Sequence, residues 1–489
     1  MSEAHAYDLW IDGEWRQSEG ATRLDVLQPV TGEVSYTIVN ASAADVDAAV
    51  ASAQTAAAGR WRTDANLRFD SLLRLSQLII EHAEELGRLD TSDTGRLPHQ
   101  AAAQVRNIAR WYRYFAGLTD KIQGDTIPNE SPTMFTYTLR EPLGVIVAIT
   151  AWNAPLLLAT LKLAPALAAG NAVILKPSEL SAASTLEFAR LCLEAGMPPG
   201  VVNVVTGDGA GPGAALVAHP GVHHVTFTGS VEGGRRVAAV AGQNLKGVTL
   251  ELGGKSPNII FDDADLDAAI VGSLAGIFTL TGQSCISGSR LLVQRGVYAD
   301  VLARLKTRVD SMVVGSPEEA VAEVGPVGNV AQMKRVERLV NGAKRDGARL
   351  ISGGGRADRE GLFFLPTIFA DVDNHSELAR EEVFGPVMAV IPFDTEEEAL
   401  RIANDTSFGL ASGIWTQDLS RAHRMAAQIN AGSVYINNYR GLGPAVPFGG
   451  YKNSGVGREN GLQAVLDFTQ VKGVWLETAP SHVDTLKRS

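Results

Sequence analysis

The sequence is poor in cysteine, with only two such residues in 489. Two cysteines cannot form a disulfide framework, so we expect a protein of the reducing cytoplasm. Residues 1–15 carry charges and a glycine where a secretory signal peptide needs a continuous apolar core. We therefore expect no such signal.

The sequence also lacks an excess of positive charge. Its formal net charge is -11, and no run of lysine or arginine forms a surface suited to a phosphate backbone. We therefore expect no nucleic-acid partner.

No apolar run is long enough to predict a membrane span, which needs about 20 predominantly apolar residues. The most apolar region is 144–175. Polar residues and prolines interrupt it, among them Asn153, Pro155, Lys162, Pro165 and Asn171. The region instead fits a buried strand, a helix and a second strand.

What the chain does contain is material for two or three domains, since 45% of its residues are hydrophobic and it is too long for one core. Short apolar runs alternate with segments of helical spacing from Val145 onward. The predicted strands are 145–149, 172–175, 201–205, 224–227 and 248–251. This alternation predicts a doubly wound parallel sheet, whose ligands lie at the carboxyl ends of the strands.

The flanking segments predict further elements. The helical segments before the sheet are 45–58, 67–86 and 101–115. Residues 7–16 have the pattern of a hairpin, and a second alternation after Gly254 predicts a second α/β domain. Residues 134–139 alternate as expected of an exposed strand that awaits a partner.

The two cysteines have different surroundings. Cys285 lies in a segment rich in glycine and serine, where a substrate can approach the sulfur and backbone N–H groups can face an oxygen on the attacked carbon. Cys192 lies in an amphipathic helical pattern, in which a thiol behaves as a small hydrophobe. Because a lone cysteine is more often a core residue than a nucleophile, the rest of the sequence has to decide the role of Cys285.

Polar side chains follow the first two strands of the predicted sheet. Asn153 either donates to a developing oxyanion or caps the helix that begins at Pro155. Lys176 and Glu179 form either a solvated turn or a contact for ribose hydroxyls, where the carboxylate would repel a 2′-phosphate.

Two later strand ends carry similar signals. Gly229 and Ser230 meet the start of a helix, a natural phosphate site, although no G-x-G-x-x-G follows the first strand. Glu251 ends a strand in an apolar setting. Desolvation there would raise its pKa and suit a general base, or its carboxylate caps the glycine turn after it.

Seven motifs occur in order along the chain. They are Thr150-Ala151-Trp152-Asn153, Lys176-Pro177-Ser178-Glu179, Phe227-Thr228-Gly229-Ser230, Glu251-Leu252-Gly253-Gly254-Lys255, Gly282-Gln283-Ser284-Cys285, Glu382-Val383-Phe384-Gly385-Pro386 and Pro447-Phe448-Gly449-Gly450. In this order and spacing they closely resemble the aldehyde dehydrogenase superfamily. The resemblance implies NAD(P)-dependent oxidation of an aldehyde to a carboxylic acid, of the hydrolytic, non-acylating type.

The resemblance implies a role for each catalytic position. Cys285 would attack the aldehyde carbon to give a thiohemiacetal, and the Asn153 side chain with the Cys285 backbone N–H would hold its oxyanion. Loss of hydride to the nicotinamide would leave a thioester. Glu251 would activate the water that releases the acid, and its presence favours hydrolysis over acyl transfer to coenzyme A.

A dinucleotide site and a substrate tunnel are implied as well, and no metal. NAD is expected in preference to NADP because of Glu179, with NADP as the second option. The implied cofactor contacts are Ile149, Thr150, Trp152, Lys176, Glu179, Phe227, Gly229, Ser230, Leu252, Glu382 and Phe384. The implied tunnel residues are Asn107, Trp111, Ala154, Arg440 and Phe448.

The substrate is otherwise left open at an aldehyde in general. Arg110, Arg113 and Arg440 raise the option of a semialdehyde that carries a carboxylate, since a guanidinium fork matches a carboxylate. Arginines on an amphipathic helix more often face solvent, so the sequence alone does not decide this.

The resemblance also implies three structural parts. A Rossmann-like cofactor domain would comprise residues 1–120 and 142–253, and a catalytic domain residues 254–450. Residues 121–141 and 468–489 would form an oligomerisation element that extends a neighbouring subunit's sheet. A homodimer or homotetramer is therefore expected.

Two places depart from the family pattern or are undecided. Leu280 and Thr281 replace the asparagine that often precedes the cysteine motif, which would alter how the loop is braced. Glu459 belongs either to a proton relay or to a structural salt bridge on a solvated face. The second option is favoured, because charged residues near a chain end usually face solvent.

Two rival functions remain. One is a cysteine-dependent hydrolase or thioesterase that uses Cys285 and Glu251 without redox turnover. Ester cleavage without redox activity would favour it. The other is a non-enzymatic binding protein on the same fold, which the intact set of Cys285, Glu251 and Asn153 disfavours.

Overall fold

Short, fully buried apolar strands build the first sheet. The computed structural model describes residues 5–479 and 486, and in it Val145–Ile149 and Ala172–Lys176 lie side by side with every residue buried. Eight strands form this sheet, in the order Gly455–Val456, Gly247–Glu251, His224–Thr228, Val145–Ile149, Ala172–Lys176, Val202–Val204, Leu9–Ile11 and Glu14–Arg16. Those from Gly247–Glu251 to Val202–Val204 are parallel, as the doubly wound prediction requires.

Helices cover this sheet and share its apolar core. Their bounds are Ala43–Ala58, Arg60–Thr63, Ala65–Glu81, Ala83–Thr94, Pro98–Ala116, Pro155–Ala168, Ala183–Glu194, Ala214–Ala218, Val231–Gln243 and Gly461–Asp467. The prediction of one helix over 67–86 is wrong, because His82 (φ -98°, ψ 13°) leaves helical geometry and separates two helices. Among the described residues, no helix has both the length and the apolar character of a membrane span.

The predicted N-terminal hairpin is confirmed. Leu9–Ile11 pairs antiparallel with Glu14–Arg16. Asp12 and Gly13 form the turn and both have positive φ, as a tight hairpin connection requires.

A second α/β unit follows Gly254, as predicted. Its sheet has seven strands, in the order Arg349–Ser352, Thr367–Ala370, Val387–Phe393, Arg290–Gln294, Pro257–Ile260, Ala411–Trp415 and Ser433–Ile436. Every neighbouring pair is parallel except the first. The helices of this unit are Leu266–Phe278, Tyr298–Asp310, Val330–Arg345, Glu377–Arg380, Glu396–Asn404 and Leu419–Gln428.

Two small sheets accompany these units. One has the order His5–Tyr7, Val34–Val39 and Arg23–Leu27, and the other the order Thr469–Glu477, Met134–Pro142 and Thr126–Ile127. The strand predicted at 134–139 is observed as Met134–Pro142, which has a neighbour on each side, and its role in assembly stays a prediction. Thr469–Glu477 pairs antiparallel with Met134–Pro142 along its whole length.

The division into three domains stays a prediction. Gly455–Val456 pairs with Gly247–Glu251, so the chain returns to the first sheet after residue 450. Residues 480–485 and 487–489, at the end of the predicted oligomerisation element, lie outside the described residues.

Candidate active site

The carboxyl ends of neighbouring parallel strands bring several predicted site residues to one edge of the first sheet. Ile149 pairs in register with Lys176 on one side and with Phe227 on the other, and Thr228 pairs with Glu251. The loops after these strands therefore open into one cleft, which is where ligands of such sheets bind.

The loop that holds Cys285 approaches this edge closely. It comes after the turn Thr279–Gly282, and Cys285 is a half-buried residue, whereas Cys192 is buried in its helix. Only glycine fits at Gly254, because a β-carbon there would stand 2.1 Å from the carbonyl oxygen of Cys285. The segment after Glu251 thus lies directly against the cysteine loop.

Asn153 also contacts the cysteine loop through its side chain. Its Nδ2 donates to the Gln283 carbonyl at 2.9 Å, and the Gln283 side chain in turn accepts from the Gly328 N–H at 2.8 Å. The alternative that Asn153 caps the helix is wrong, since Ala154 holds the N-cap position without a side-chain bond. Because an amide nitrogen carries two hydrogens, one N–H of Asn153 remains for another acceptor.

Glu251 is buried, and neither of its carboxylate oxygens has a hydrogen-bond partner among the described residues. The alternative that the Glu251 carboxylate caps the glycine turn is therefore not supported by any hydrogen bond among the described residues. Burial raises the pKa of this carboxyl well above its ordinary value, and the nearby charge of Glu459 raises it further, against the opposing charge of Lys162. Such a carboxylate has a high affinity for a proton.

The expectation that Glu459 lies on a solvated face is wrong. The chain turns back onto the first sheet at Gly455–Val456, and Glu459 is 3% exposed. Its Oε1 lies 2.5 Å from the Nζ of Lys162, which also donates to Thr226 at 3.2 Å. A buried ion pair therefore stands beside Glu251.

Burial and two nearby carboxylates together raise the pKa of the Cys285 thiol. Burial raises the pKa of Cys285 to about 12, and the charges of Glu382 and Glu251 contribute in the same direction. Glu382 accepts from the Gly254 N–H at 3.0 Å, and burial raises the pKa of its carboxyl to about 7. At neutral pH the isolated cysteine is accordingly a thiol, whose proton must leave when it attacks.

Residues from both α/β units line the cleft beyond the thiol. The rings of Trp152 and Phe384 meet edge to face with centroids 5.5 Å apart. On the far side, the buried Lys176 donates to the Pro177 carbonyl at 3.0 Å and lies 3.8 Å from the partly exposed carboxylate of Glu179.

The helix Val231–Gln243 begins at the same edge. Ser230 caps it by accepting from the Gly233 N–H at 3.1 Å, and the Gly229 N–H donates to the Glu251 carbonyl at 3.1 Å. Leu252 packs on the first turn, where a β-carbon at Gly234 would stand 2.5 Å from its Cδ2.

The family model for the aldehyde dehydrogenase family matches residues 15–474. The chain belongs to the aldehyde dehydrogenase family. The resemblance carried by the seven motifs is thereby confirmed, and the protein is an oxidoreductase that acts on an aldehyde group with NAD(P) as acceptor.

Its relatives cover nearly the whole chain. A betaine aldehyde dehydrogenase of Cereibacter sphaeroides is 46% identical over 98% of this chain and 99% of its own. A (Z)-2-((N-methylformamido)methylene)-5-hydroxybutyrolactone dehydrogenase of Acinetobacter baylyi is 42% identical over 98% of each chain. The crystal structure of betaine aldehyde dehydrogenase from Staphylococcus aureus in complex with NAD+ has a TM-score of 0.96 at 37% identity, over 98% of this chain and 97% of that one. These matches confirm the α/β fold class.

The cleft of this aldehyde dehydrogenase fits a dinucleotide. A capped helix begins at its edge, which suits a phosphate, and a buried lysine stands nearby. The hydroxyls of Thr150 and Thr228 are buried without a partner among the described residues. Unused polar atoms at the strand ends are what a polar ligand needs.

The predicted tunnel residues separate into two groups. Phe448 packs with Cys285 in a small apolar cluster, and Ala154 is buried beside Asn153. Asn107 is partly exposed and accepts from Arg110 at 3.1 Å. Trp111 is fully buried, and its Nε1 donates to Asn460 at 2.8 Å, so the structure places it in the core and not at a surface of the cleft.

Sequence reasoning missed Arg96. Its Nη2 donates to the Asn153 carbonyl at 2.8 Å from a buried position between two helices, 57 residues earlier in the chain. Asp90 lies near it, and burial raises the pKa of that carboxyl to about 6 against the charge of Arg96. No motif surrounds Arg96, so only the fold reveals that it holds the backbone of the predicted oxyanion residue.

Proposed function

We propose that Cys285 is the nucleophile of this aldehyde dehydrogenase, that Asn153 stabilises the oxyanion, and that Glu251 is the general base. The observation that carries the proposal is the convergence of two segments on the loop that holds Cys285. The Asn153 amide bonds the cysteine loop, and Gly254 brings the segment after Glu251 against the Cys285 carbonyl.

In the first step, the Cys285 sulfur bonds to the aldehyde carbon and the carbonyl electron pair moves to oxygen. The free N–H of Asn153 and the backbone N–H of Cys285 donate to that oxyanion, and removal of such a donor typically costs about 2.7–4 kcal/mol. The thiol proton passes to Glu251, the buried carboxylate with raised pKa in the same cleft. The product is a thiohemiacetal.

Bound NAD supplies the hydride acceptor, and a thioester remains on Cys285 after hydride leaves. Glu251 then takes a proton from the water that attacks the thioester, and the S–C bond breaks to release the acid. Since Glu251 receives a proton in both halves of the cycle, it must pass that proton on to another group before the next step. We assign this role to Glu459, whose Oε2 is buried without a partner among the described residues and whose other oxygen is held by Lys162.

We assign the cofactor contacts along the same edge. Lys176 and Glu179 would hold the adenosine ribose, Ser230 and Gly229 the pyrophosphate, and Glu382 with Phe384 the nicotinamide ribose. The other residues that line this site are Ile149, Thr150, Trp152, Phe227 and Leu252. NAD is preferred over NADP, because the Glu179 carboxylate would repel a 2′-phosphate.

We further propose a homodimer or homotetramer that forms through the sheet of Thr126–Ile127, Met134–Pro142 and Thr469–Glu477. This sheet exposes apolar side chains, with Trp475 at 71% and Val471 at 56%. The reducing cytoplasm suits the enzyme, since both cysteines are free thiols.

The test is formation of NADH or NADPH by the wild type, Cys285→Ala and the matched control Cys192→Ala, with short aliphatic and aromatic aldehydes. We expect turnover with NAD that is lost in Cys285→Ala and kept in Cys192→Ala. Ester cleavage by Cys285 with no reduction of either cofactor would contradict the proposal and favour the hydrolase.

A further inference from the structure

A guanidinium without a partner lies beside the proposed nucleophile. Nη1 of Arg440 is buried and has no hydrogen-bond partner among the described residues, and no ion pair involves this side chain within them. The ionisable groups whose charges act on Arg440, or on which its charge acts, are Tyr439, Cys285, Tyr435 and Arg96. None of these is a carboxylate.

A second donor stands next to it. Tyr435 is 9% exposed, and its buried hydroxyl lies near the Ser433 side chain but donates to no group among the described residues. The charge of Arg440 acts on this hydroxyl, and Tyr435 belongs to the same apolar cluster as Cys285. Two unused donors therefore lie together near the thiol, where burial without an acceptor is costly.

The turn that carries Arg440 is held firmly. Asn437 exchanges two hydrogen bonds with the backbone of Thr416, at 2.9 and 3.1 Å, and Tyr439 donates to the Ile286 carbonyl at 3.0 Å. Arg440 itself has a φ of 67°, a left-handed conformation that a side chain adopts only when its surroundings impose it. The backbone at Arg440 is thus held close to the cysteine loop, whose Ile286 carbonyl accepts from Tyr439.

We propose that Arg440 and Tyr435 bind an anionic group on the substrate, so that the preferred substrates are aldehydes that carry a carboxylate. The proposal rests on the function proposed above and deepens it. A carboxylate would accept two parallel N–H bonds from the guanidinium and a third from the tyrosine hydroxyl. It would also neutralise a positive charge that the cleft buries unpaired.

The same charge argues against a cationic substrate. A quaternary ammonium such as that of betaine aldehyde would place a second positive charge near Arg440, and like charges repel strongly where water is excluded. The betaine aldehyde dehydrogenases among the relatives therefore differ from this protein in the substrate that the cleft accepts.

The experiment compares matched aldehydes with and without a carboxylate: 4-oxobutanoate against butanal, and 4-formylbenzoate against benzaldehyde. In the wild type we expect the lower KM for the carboxylated member of at least one pair. Arg440→Gln should raise that KM by on the order of 30-fold more than it raises the KM of the neutral aldehyde of the same pair. Arg440→Lys should recover part of the loss, and Tyr435→Phe should raise the same KM about 5-fold.

A binding readout separates this proposal from the proposed function. Succinate should slow alkylation of Cys285 by iodoacetamide in the wild type but not in Arg440→Gln, whereas butyrate should have the same small effect in both. If no aldehyde is oxidised but succinate still protects through Arg440, the enzymatic proposal fails and the anion site stands. If Arg440→Gln changes both members of each pair equally, or succinate does not protect, the anion site is wrong.

Discussion

Two arginines of the second α/β unit have opposite surroundings, although both place guanidinium nitrogen in the interior. Arg290 is fully buried and donates to the carbonyls of Lys255, Ile402 and Ala403 and to the Asn374 side chain, at 2.8 to 3.1 Å. Arg440 has no such partner among the described residues. A buried charge whose bonds are all made holds the fold together, whereas one left unpaired marks a place for a ligand.

The carboxylates and the thiols show the same contrast. Glu459 is paired with Lys162, while the nearby Glu251 has no partner within the described ranges. Burial raises the pKa of Cys192 as well as that of Cys285, so this shift alone does not identify a nucleophile. What distinguishes Cys285 is its surroundings: an amide, two carboxylates and a guanidinium.

The largest expected effect tests whether Arg290 and Arg440 contribute differently to the stability of the fold. Arg290→Met should lower the free energy of unfolding by about 3–5 kcal/mol, because it leaves three buried carbonyls and an amide without donors. Arg440→Met should change it by less than about 1 kcal/mol. Urea unfolding of both variants measures this, and equal losses would contradict the distinction.

The next effect concerns the paired and unpaired carboxylates. Glu251→Gln should lower kcat by about 10²–10³-fold, because the amide cannot take a proton from water. A first burst of NADH should persist, since a water molecule can accept the thiol proton once. Glu459→Gln should cause a smaller loss of kcat, and a burst that disappears together with turnover in Glu251→Gln would contradict the hydrolytic role.

A pH series sharpens the assignment of Glu251. Its pKa is raised in the folded protein, so above about pH 4.5 the folded state keeps a proton that the unfolded chain has lost, and stability falls as pH rises through the folded pKa. This contribution is about 1.4 kcal/mol for each pH unit over which only the folded state holds that proton. Glu251→Gln should remove this slope in urea unfolding followed upward from about pH 4.5, and an unchanged slope would contradict the raised pKa.

The smallest effect concerns strain in the cysteine loop. Leu280 and Thr281 have φ of 58° and 55°, a left-handed conformation that asparagine tolerates better than either residue. Leu280→Asn should therefore stabilise the protein by about 0.5–1 kcal/mol, seen as a rise in Tm. The matched change Leu245→Asn, at an exposed position with positive φ, should raise Tm similarly without altering activity.

The parts of the site that obey local rules could be predicted from the sequence. Parallel strands place their C-terminal loops at one edge of the sheet, so Asn153, Lys176 and Glu251 were expected to lie near one another. Arg96 and the burial of Glu459 depend on contacts between segments far apart in the chain, which no local pattern records. The break between two helices at His82 could not be predicted for another reason: the apolar spacing of a helix continues across it.

The most direct test of the central claim is mass spectrometry of Glu251→Gln after it has been mixed rapidly with NAD and an aldehyde and quenched in acid. The account predicts an acyl group on the peptide that contains Cys285 and none on the peptide that contains Cys192. An acyl group on neither cysteine while NADH forms, or on Cys192 alone, would contradict it.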